Sequence, residues 1–246
     1  ISHQNHAQPG YGIGQYHLST AWDISSTASW LGAFDPASVA GRGDPAYTVG
    51  FDFSVDGTKL YVIGWDSLSL TDAVFEYTLS TPWSLQSVVL TNTFSIIPDG
   101  ILYVSVNFNS IKISNDGSRL YLIGTGVPSL GQPAVPIVAQ YDFDVLYDVT
   151  SLIFGDYIGI PESIVPRDIA FSSNGLQAFI TDSGLIKVHQ YTMTTAWDFT
   201  SSMYSERNLF LWNQQYNNSG IFIGNNGTRI YSAGQFGAST ESFEPS

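Results

Sequence analysis

Few side chains in this sequence could do chemistry together. The 246 residues include no cysteine and only four histidines, His3, His6, His17 and His189. A thiolate nucleophile and a thiolate metal site are therefore excluded. The histidines fall at non-equivalent places, so no metal centre is expected, and no cofactor either. The Gly-x-Ser-x-Gly elbow, the His-Glu-x-x-His helix and the phosphate-binding loop are all missing. The best polar pair is Arg167 beside Asp168, on a strand expected to be innermost, where Asp52 and Lys112 are also expected. Such a set could do acid–base work, although a structural ion pair explains it as well. Trp30, Trp65 and Trp212 are the aromatic ligand candidates because no repeat accounts for them. Trp65 stands out in what reads as an exposed loop from Gly64 to Asp72. The ligand-binding candidates are thus Trp65, Trp212, Asp168 and Arg167, with no catalytic residue assigned.

The elements that position these residues follow from composition and repetition. The chain carries 8 Lys+Arg against 21 Asp+Glu, a formal charge of -13. That balance opposes binding to nucleic acid and to anionic membranes. Hydrophobic residues make up 43% and aromatic residues 14%, enough for a packed core. No apolar run is long enough for a membrane helix. The chain opens on Ile1, which suggests a processed or trimmed product.

One unit recurs. Phe53-Ser54-Val55-Asp56-Gly57-Thr58-Lys59-Leu60-Tyr61 returns as Ile113-Ser114-Asn115-Asp116-Gly117-Ser118-Arg119-Leu120-Tyr121. More worn copies surround Asn174-Gly175 and Asn226-Gly227. Each reads as a β-hairpin whose Asp-Gly or Asn-Gly turn supplies a positive φ. Calcium is not expected at Asp56, Asp116, Asn174 or Asn226, because a short turn cannot present six converging oxygens.

A second repeated element follows each hairpin. It contains Tyr16, Tyr77, Tyr141 and Tyr191, each six residues before Trp22, Trp83, Tyr147 and Trp197. Repetition in every unit points to packing, with the later aromatics expected to fill the wedge between adjacent sheets. The turn glycines Gly57, Gly117, Gly175 and Gly227 recur at 60, 58 and 52 residues. A four-stranded unit at that spacing is the pattern of a propeller blade. The fourth hairpin has little chain after it, whereas the N-terminus opens on an orphan second element. The reading is an all-β, four-bladed β-propeller closed by strands from both termini. It forms a single domain with blades at about 47–96, 103–160 and 163–211 and a composite blade of 213–240 with 11–40.

The string FSVDGTKLYVIG resembles the SPDG-x-x-LYV repeat of surface-layer YVTN proteins and their lactonase relatives. YHLSTAWDISS resembles Leu-Ser-Thr-Ala-Trp-Asp repeats of bacteriophage and marine bacterial surface proteins. The third hairpin departs from the pattern by lacking the Leu-Tyr pair, and Tyr147 stands where the other copies have Trp. The resemblance implies a non-enzymatic structural or attachment module, extracellular or on a virion surface. Its partners would be protein subunits of a larger assembly, possible homo-oligomer contacts and a cell-surface glycan. A glycan-binding lectin and a lactonase-like hydrolase are the alternatives; the hydrolase would use acids at the channel mouth, Asp168 first. Glycine- and proline-rich segments 125–136 and 35–46 read as shaped binding loops. The Arg42-Gly43-Asp44 tripeptide and the Asn217 and Asn226 glycosylation triplets mark surface at most.

Overall fold

The computed structural model describes residues 12–20, 27–36, 48–66, 71–96, 105–211, 217–224 and 227–235. His3, His6, Trp22, the Arg42-Gly43-Asp44 triplet, Trp212 and Asn226 lie outside them. The fold is all-β, as the composition predicts. The described residues hold sixteen strands and three short 3-10 segments. None of the described helices is long and apolar enough to cross a membrane.

Three four-stranded antiparallel sheets form the body of the structure. The first contains β3 (Thr48–Phe53), β4 (Lys59–Asp66), β5 (Thr71–Leu79) and β6 (Val88–Ser95). The second contains β7 (Ser105–Ile113), β8 (Arg119–Val127), β9 (Val135–Phe143) and β10 (Leu152–Gly159). The third contains β11 (Pro166–Phe171), β12 (Gln177–Asp182), β13 (Lys187–Met193) and β14 (Ser202–Phe210). Two further sheets have two strands each. One pairs β1 (Ile13–Leu18) with β2 (Ala28–Phe34), the other β15 (Asn217–Gly224) with β16 (Arg229–Gln235).

The chain divides into two compact units. One is Ile1–Ile97 with Asp116–Ser118 and Asp142–Ile153; the other is Pro98–Asn115, Arg119–Tyr141 and Phe154–Ser246. The first packs Ile13, Phe34, Leu60, Val62, Phe75 and Tyr77 into its core. The core of the second includes Tyr121, Ile123, Ile169, Ile180, Tyr191 and Phe199.

The hairpins are built differently from the sequence expectation. Only the glycine takes a positive φ, +70° at Gly57, +72° at Gly117 and +69° at Gly175. Gly57 N–H donates to Ser54 O at 2.9 Å. That makes a turn over Ser54–Gly57 whose last residue is the left-handed glycine, so the aspartate is needed for its side chain rather than for backbone tolerance. Asp56 Oδ1 accepts from Ser54 Oγ at 2.6 Å and from Thr58 N at 3.0 Å. These bonds hold its carboxyl below the ordinary carboxylate range.

The repeated aromatics also have a more specific place than a wedge between sheets. Trp83, Tyr147 and Trp197 each lie against the turn glycine of their own sheet. A methyl group on Gly57, Gly117 or Gly175 would meet the ring of Trp83, Tyr147 or Trp197 at 2.2, 2.1 and 2.5 Å. The backbone N–H of each aromatic residue donates to that glycine's carbonyl, at 2.9, 3.1 and 2.8 Å respectively. The carbonyls of Tyr147 and Trp197 in turn accept from the Tyr61 and Tyr121 hydroxyls of the preceding sheets. Burial pushes the Tyr61 hydroxyl well above its usual range, with Glu76 adding to the effect.

Candidate functional site

The first strands of four sheets share one irregularity. The pairing register slips at Thr48/Gly50, Phe108/Ser110, Pro166/Asp168 and Asn218/Gly220. Each slip is a β-bulge seven or eight residues before the turn glycine. Bulges bend a strand and re-aim the side chain beside them. The residue after each bulge is Gly50, Ser110, Asp168 or Gly220, so these are equivalent repeat positions on the four strands.

Three of those positions meet within the second unit. Asp168 Oδ1 accepts from Ser110 Oγ at 2.7 Å and from Ile169 N at 2.9 Å. Its Oδ2 accepts from Ile221 N at 2.9 Å. The carboxyl thus joins β7, β11 and β15. Desolvation pushes it above the ordinary carboxylate range, against the lowering effect of these bonds and of the Lys112 charge. An ionised carboxylate offers about four acceptor positions, and the three bonds leave one on Oδ2. Gly220 keeps space there, since a methyl group at that position would sit 3.7 Å from Oδ2. Lys112 lies two residues after Ser110 on β7, which places both on one strand face. The bulge itself is held by Asn109 Nδ2, which donates to Pro166 O at 2.8 Å.

Arg167 and Asp168 have different partners. Arg167 Nε donates to Ser183 Oγ at 2.9 Å, tying the bulge to the β12–β13 turn. The grouping expected from sequence, Arg167 with Asp168, is replaced in space by Ser110, Lys112 and Asp168. Sequence reasoning missed Ser110 and Gly220. Their shared offset of seven from the turn glycine is the signal that could have found them. Asp52 lies on β3 opposite Tyr61.

Trp65 is a strand residue, not a loop residue: β4 continues to Asp66, and Trp65 pairs with Asp72 on β5. The Trp65 side chain lies outside the described atoms. Trp30 pairs across the strands with Tyr16, their rings edge to face at 4.9 Å.

A second polar cluster supports β11. Asp182 Oδ1 accepts from Gly184 N at 2.8 Å, Leu185 N at 3.1 Å and Val165 N at 3.2 Å. Its Oδ2 accepts from Ile164 N at 2.7 Å and Ser163 Oγ at 2.9 Å. His189 Nε2 stands 3.6 Å from Oδ2. Burial alone would raise this carboxyl, but the His189 ring and the hydrogen bonds outweigh it and hold it well below the ordinary range. The cluster fixes the segment leading into the strand that carries Asp168. Among the described residues, no three His, Asp or Glu side chains gather as a metal ion requires.

No family model matches the sequence, and no curated protein matches it. Solved structures do match the fold. A functionally unknown protein from Desulfotomaculum acetoxidans superposes with a TM-score of 0.51 at 12% identity, over 91% of this chain and 56% of that one. A candidate 6-phosphogluconolactonase from Bacteroides uniformis also gives 0.51 at 12% identity, over 92% of this chain and 58% of that one. A periplasmic gluconolactonase from Pseudomonas aeruginosa gives 0.46 at 11%, over 92% and 67%. The chain therefore spans less than two thirds of the first two structures it matches. At these identities the likeness is one of fold: all-β and propeller-like.

That finding corrects two expectations, the non-enzymatic attachment module of a virion or bacterial surface and the exclusion of catalysis. The matched fold includes a candidate hydrolase, so repeat architecture without a linear catalytic motif does not argue for an inert scaffold. Residues brought together from separate strands leave no such motif to find.

Proposed function

We propose that this chain hydrolyses a lactone-type ester, with Asp168 as the base that removes the proton of the attacking hydroxyl. Asp168 carries the reading. It is a desolvated carboxyl at a bulge on an inner strand, with a hydroxyl donor at 2.7 Å, one open acceptor position and a cation on the neighbouring strand. A carboxyl raised by burial is a stronger base than an ordinary one, which suits it to general-base work near neutral pH. The likeness of fold to a candidate 6-phosphogluconolactonase supports an aldonolactone as the first substrate to try. The test is acid release from a panel of aldonolactones and simple esters, followed by titration. The wild-type chain accelerates ring opening, and Asp168→Asn loses about 10²–10⁴-fold of that rate, the usual contribution of a positioned base. Wild-type rates equal to buffer for every substrate would refute the reading.

We also propose the finer architecture, a four-bladed propeller in which residues 213–240 and 11–40 share one blade. Repeat positions support it. Leu60, Tyr61, Leu120 and Tyr121 are fully buried in four-stranded sheets, whereas their counterparts Ile230 and Tyr231 in β16 are 39% and 55% exposed. Tyr77, Tyr141 and Tyr191 are buried, whereas Tyr16 in β1 is 40% exposed. Both two-stranded sheets thus hold core-type residues without the cover that the other sheets have, which is what two halves of one blade would show.

A further inference from the structure

The proposed reaction needs an attacking O–H group, and the one already donating to Asp168 belongs to the protein. We infer that Ser110 is the nucleophile and that ester cleavage passes through an acyl group on its Oγ. The inference rests on the hydrolase reading and specifies its chemistry.

Ser110 Oγ is 2.7 Å from Asp168 Oδ1, a length at which a hydroxyl proton can pass to the carboxylate as the oxygen attacks. A water attacking through Oδ1 would have to displace both Ser110 and the Ile169 N–H. The direction of the hydroxyl is fixed from both sides: the bulge between Phe108 and Ser110 re-aims it, and Asn109 Nδ2 anchors that bulge to Pro166 O. Ser114, the repeated serine of the hairpin turn, has a different task. Its Oγ accepts from Arg119 N at 2.9 Å, so it belongs to the turn. Ser110 has no such duty in the hairpin, and its counterparts Gly50 and Gly220 lack a side chain. A hydroxyl at this layer is not something the repeat requires.

The steps balance. Ser110 Oγ bonds the carbonyl carbon while its proton passes to Asp168, and the carbonyl π pair moves onto oxygen near the Lys112 charge. The tetrahedral carbon then expels the ring oxygen, which takes the proton back from Asp168. Water adds to the acyl carbon with its proton going to Asp168, and Ser110 Oγ leaves and is reprotonated. The net reaction is lactone plus water giving a hydroxy acid.

A fluorophosphonate ester tests this directly, because an activated serine displaces fluoride and keeps the phosphonyl group. The probe is incubated with the full chain, and the modified peptide is mapped by mass spectrometry. In parallel, lactone turnover is measured for wild type, Ser110→Ala and Ser110→Thr, each checked for a native thermal transition. The inference predicts phosphonylation on Ser110, loss of labelling in Asp168→Asn, and at least about hundred-fold lower turnover in Ser110→Ala. A wild-type chain that turns over lactone but is not labelled at Ser110 overturns the inference and leaves the hydrolase reading standing. Turnover surviving in folded Ser110→Ala overturns it too. A wild-type chain that opens no lactone overturns the hydrolase reading itself.

Discussion

The indole of Trp197 packs against Gly175, close enough that a methyl group there would stand 2.5 Å from the ring. The two residues hold each other in unusual backbone states: Gly175 has φ +69° and Trp197 has φ +63°. A left-handed conformation costs an ordinary residue roughly 1–2 kcal/mol, so Trp197 keeps it only because the Gly175 carbonyl takes its N–H at 2.8 Å and the ring gains contact. Trp83 with Gly57 and Tyr147 with Gly117 repeat the arrangement. It explains why glycine and a large flat side chain recur together at these two positions.

Replacing Gly175 by Ala is therefore expected to destabilise by more than the ~1–2 kcal/mol of the left-handed backbone alone. Urea unfolding measures the loss. Trp197→Ala, which removes a buried ring, costs about 3–5 kcal/mol. In the double variant the two losses sum to less than their total, because the clash is gone.

Ring closure is testable at the glutamine or glutamate preceding each repeated tyrosine. Gln15, Glu76 and Gln140 accept the N–H of Leu85, Val149 and Phe199, each in the next sheet along the chain, at 3.0, 2.9 and 2.8 Å. Gln140→Leu strands a buried N–H and costs about 1–3 kcal/mol. Gln190 is the fourth member of the series. A closed ring predicts a comparable loss for Gln190→Leu in the same unfolding experiment, and an open array predicts almost none.

The Asp182 carboxyl gives stability a defined acid dependence. Its folded value lies below the ordinary 3.8, so its contribution is complete above that value and disappears as pH falls through the folded one. The stability gap between wild type and Asp182→Asn should therefore be widest near neutrality and shrink steadily below about pH 4. Denaturant midpoints across an acid series check this. A gap that widens on acidification contradicts the sign.

Gly220 keeps the Oδ2 side of Asp168 open, and Gly220→Ala should narrow it with a methyl group 3.7 Å from Oδ2. Lactone turnover falls while the thermal transition stays near that of wild type, because the added Cβ meets only ordinary contacts at 3.6 and 3.7 Å. Unchanged turnover would place the substrate elsewhere.

The hairpins and their spacing were legible in the sequence because a left-handed glycine after an acceptor side chain is a local requirement, visible wherever Asp-Gly or Asn-Gly repeats. The candidate site was only half legible. Asp168 could be named, but its partner could not, because neighbours along the chain suggested Arg167 while the bulge sends that side chain to Ser183. Ser110 lies 58 residues from Asp168 and meets it only when β7 and β11 align. Trp65 reads from sequence as part of an exposed loop from Gly64 to Asp72, yet strand pairing reaches Asp66. The aromatics' contact with glycine is likewise a product of the fold that repetition alone could not reveal.

The most direct measurement is the pH dependence of kcat/KM for aldonolactone opening by wild type and Asp168→Asn. Desolvation raises the Asp168 carboxyl, so wild-type activity should climb with pH along a limb displaced above the ordinary carboxylate range, with Lys112 the nearby charge that limits the displacement. That limb should vanish in Asp168→Asn. A wild-type rate no faster than buffer, or an identical profile in a folded Asp168→Asn chain, would contradict the account.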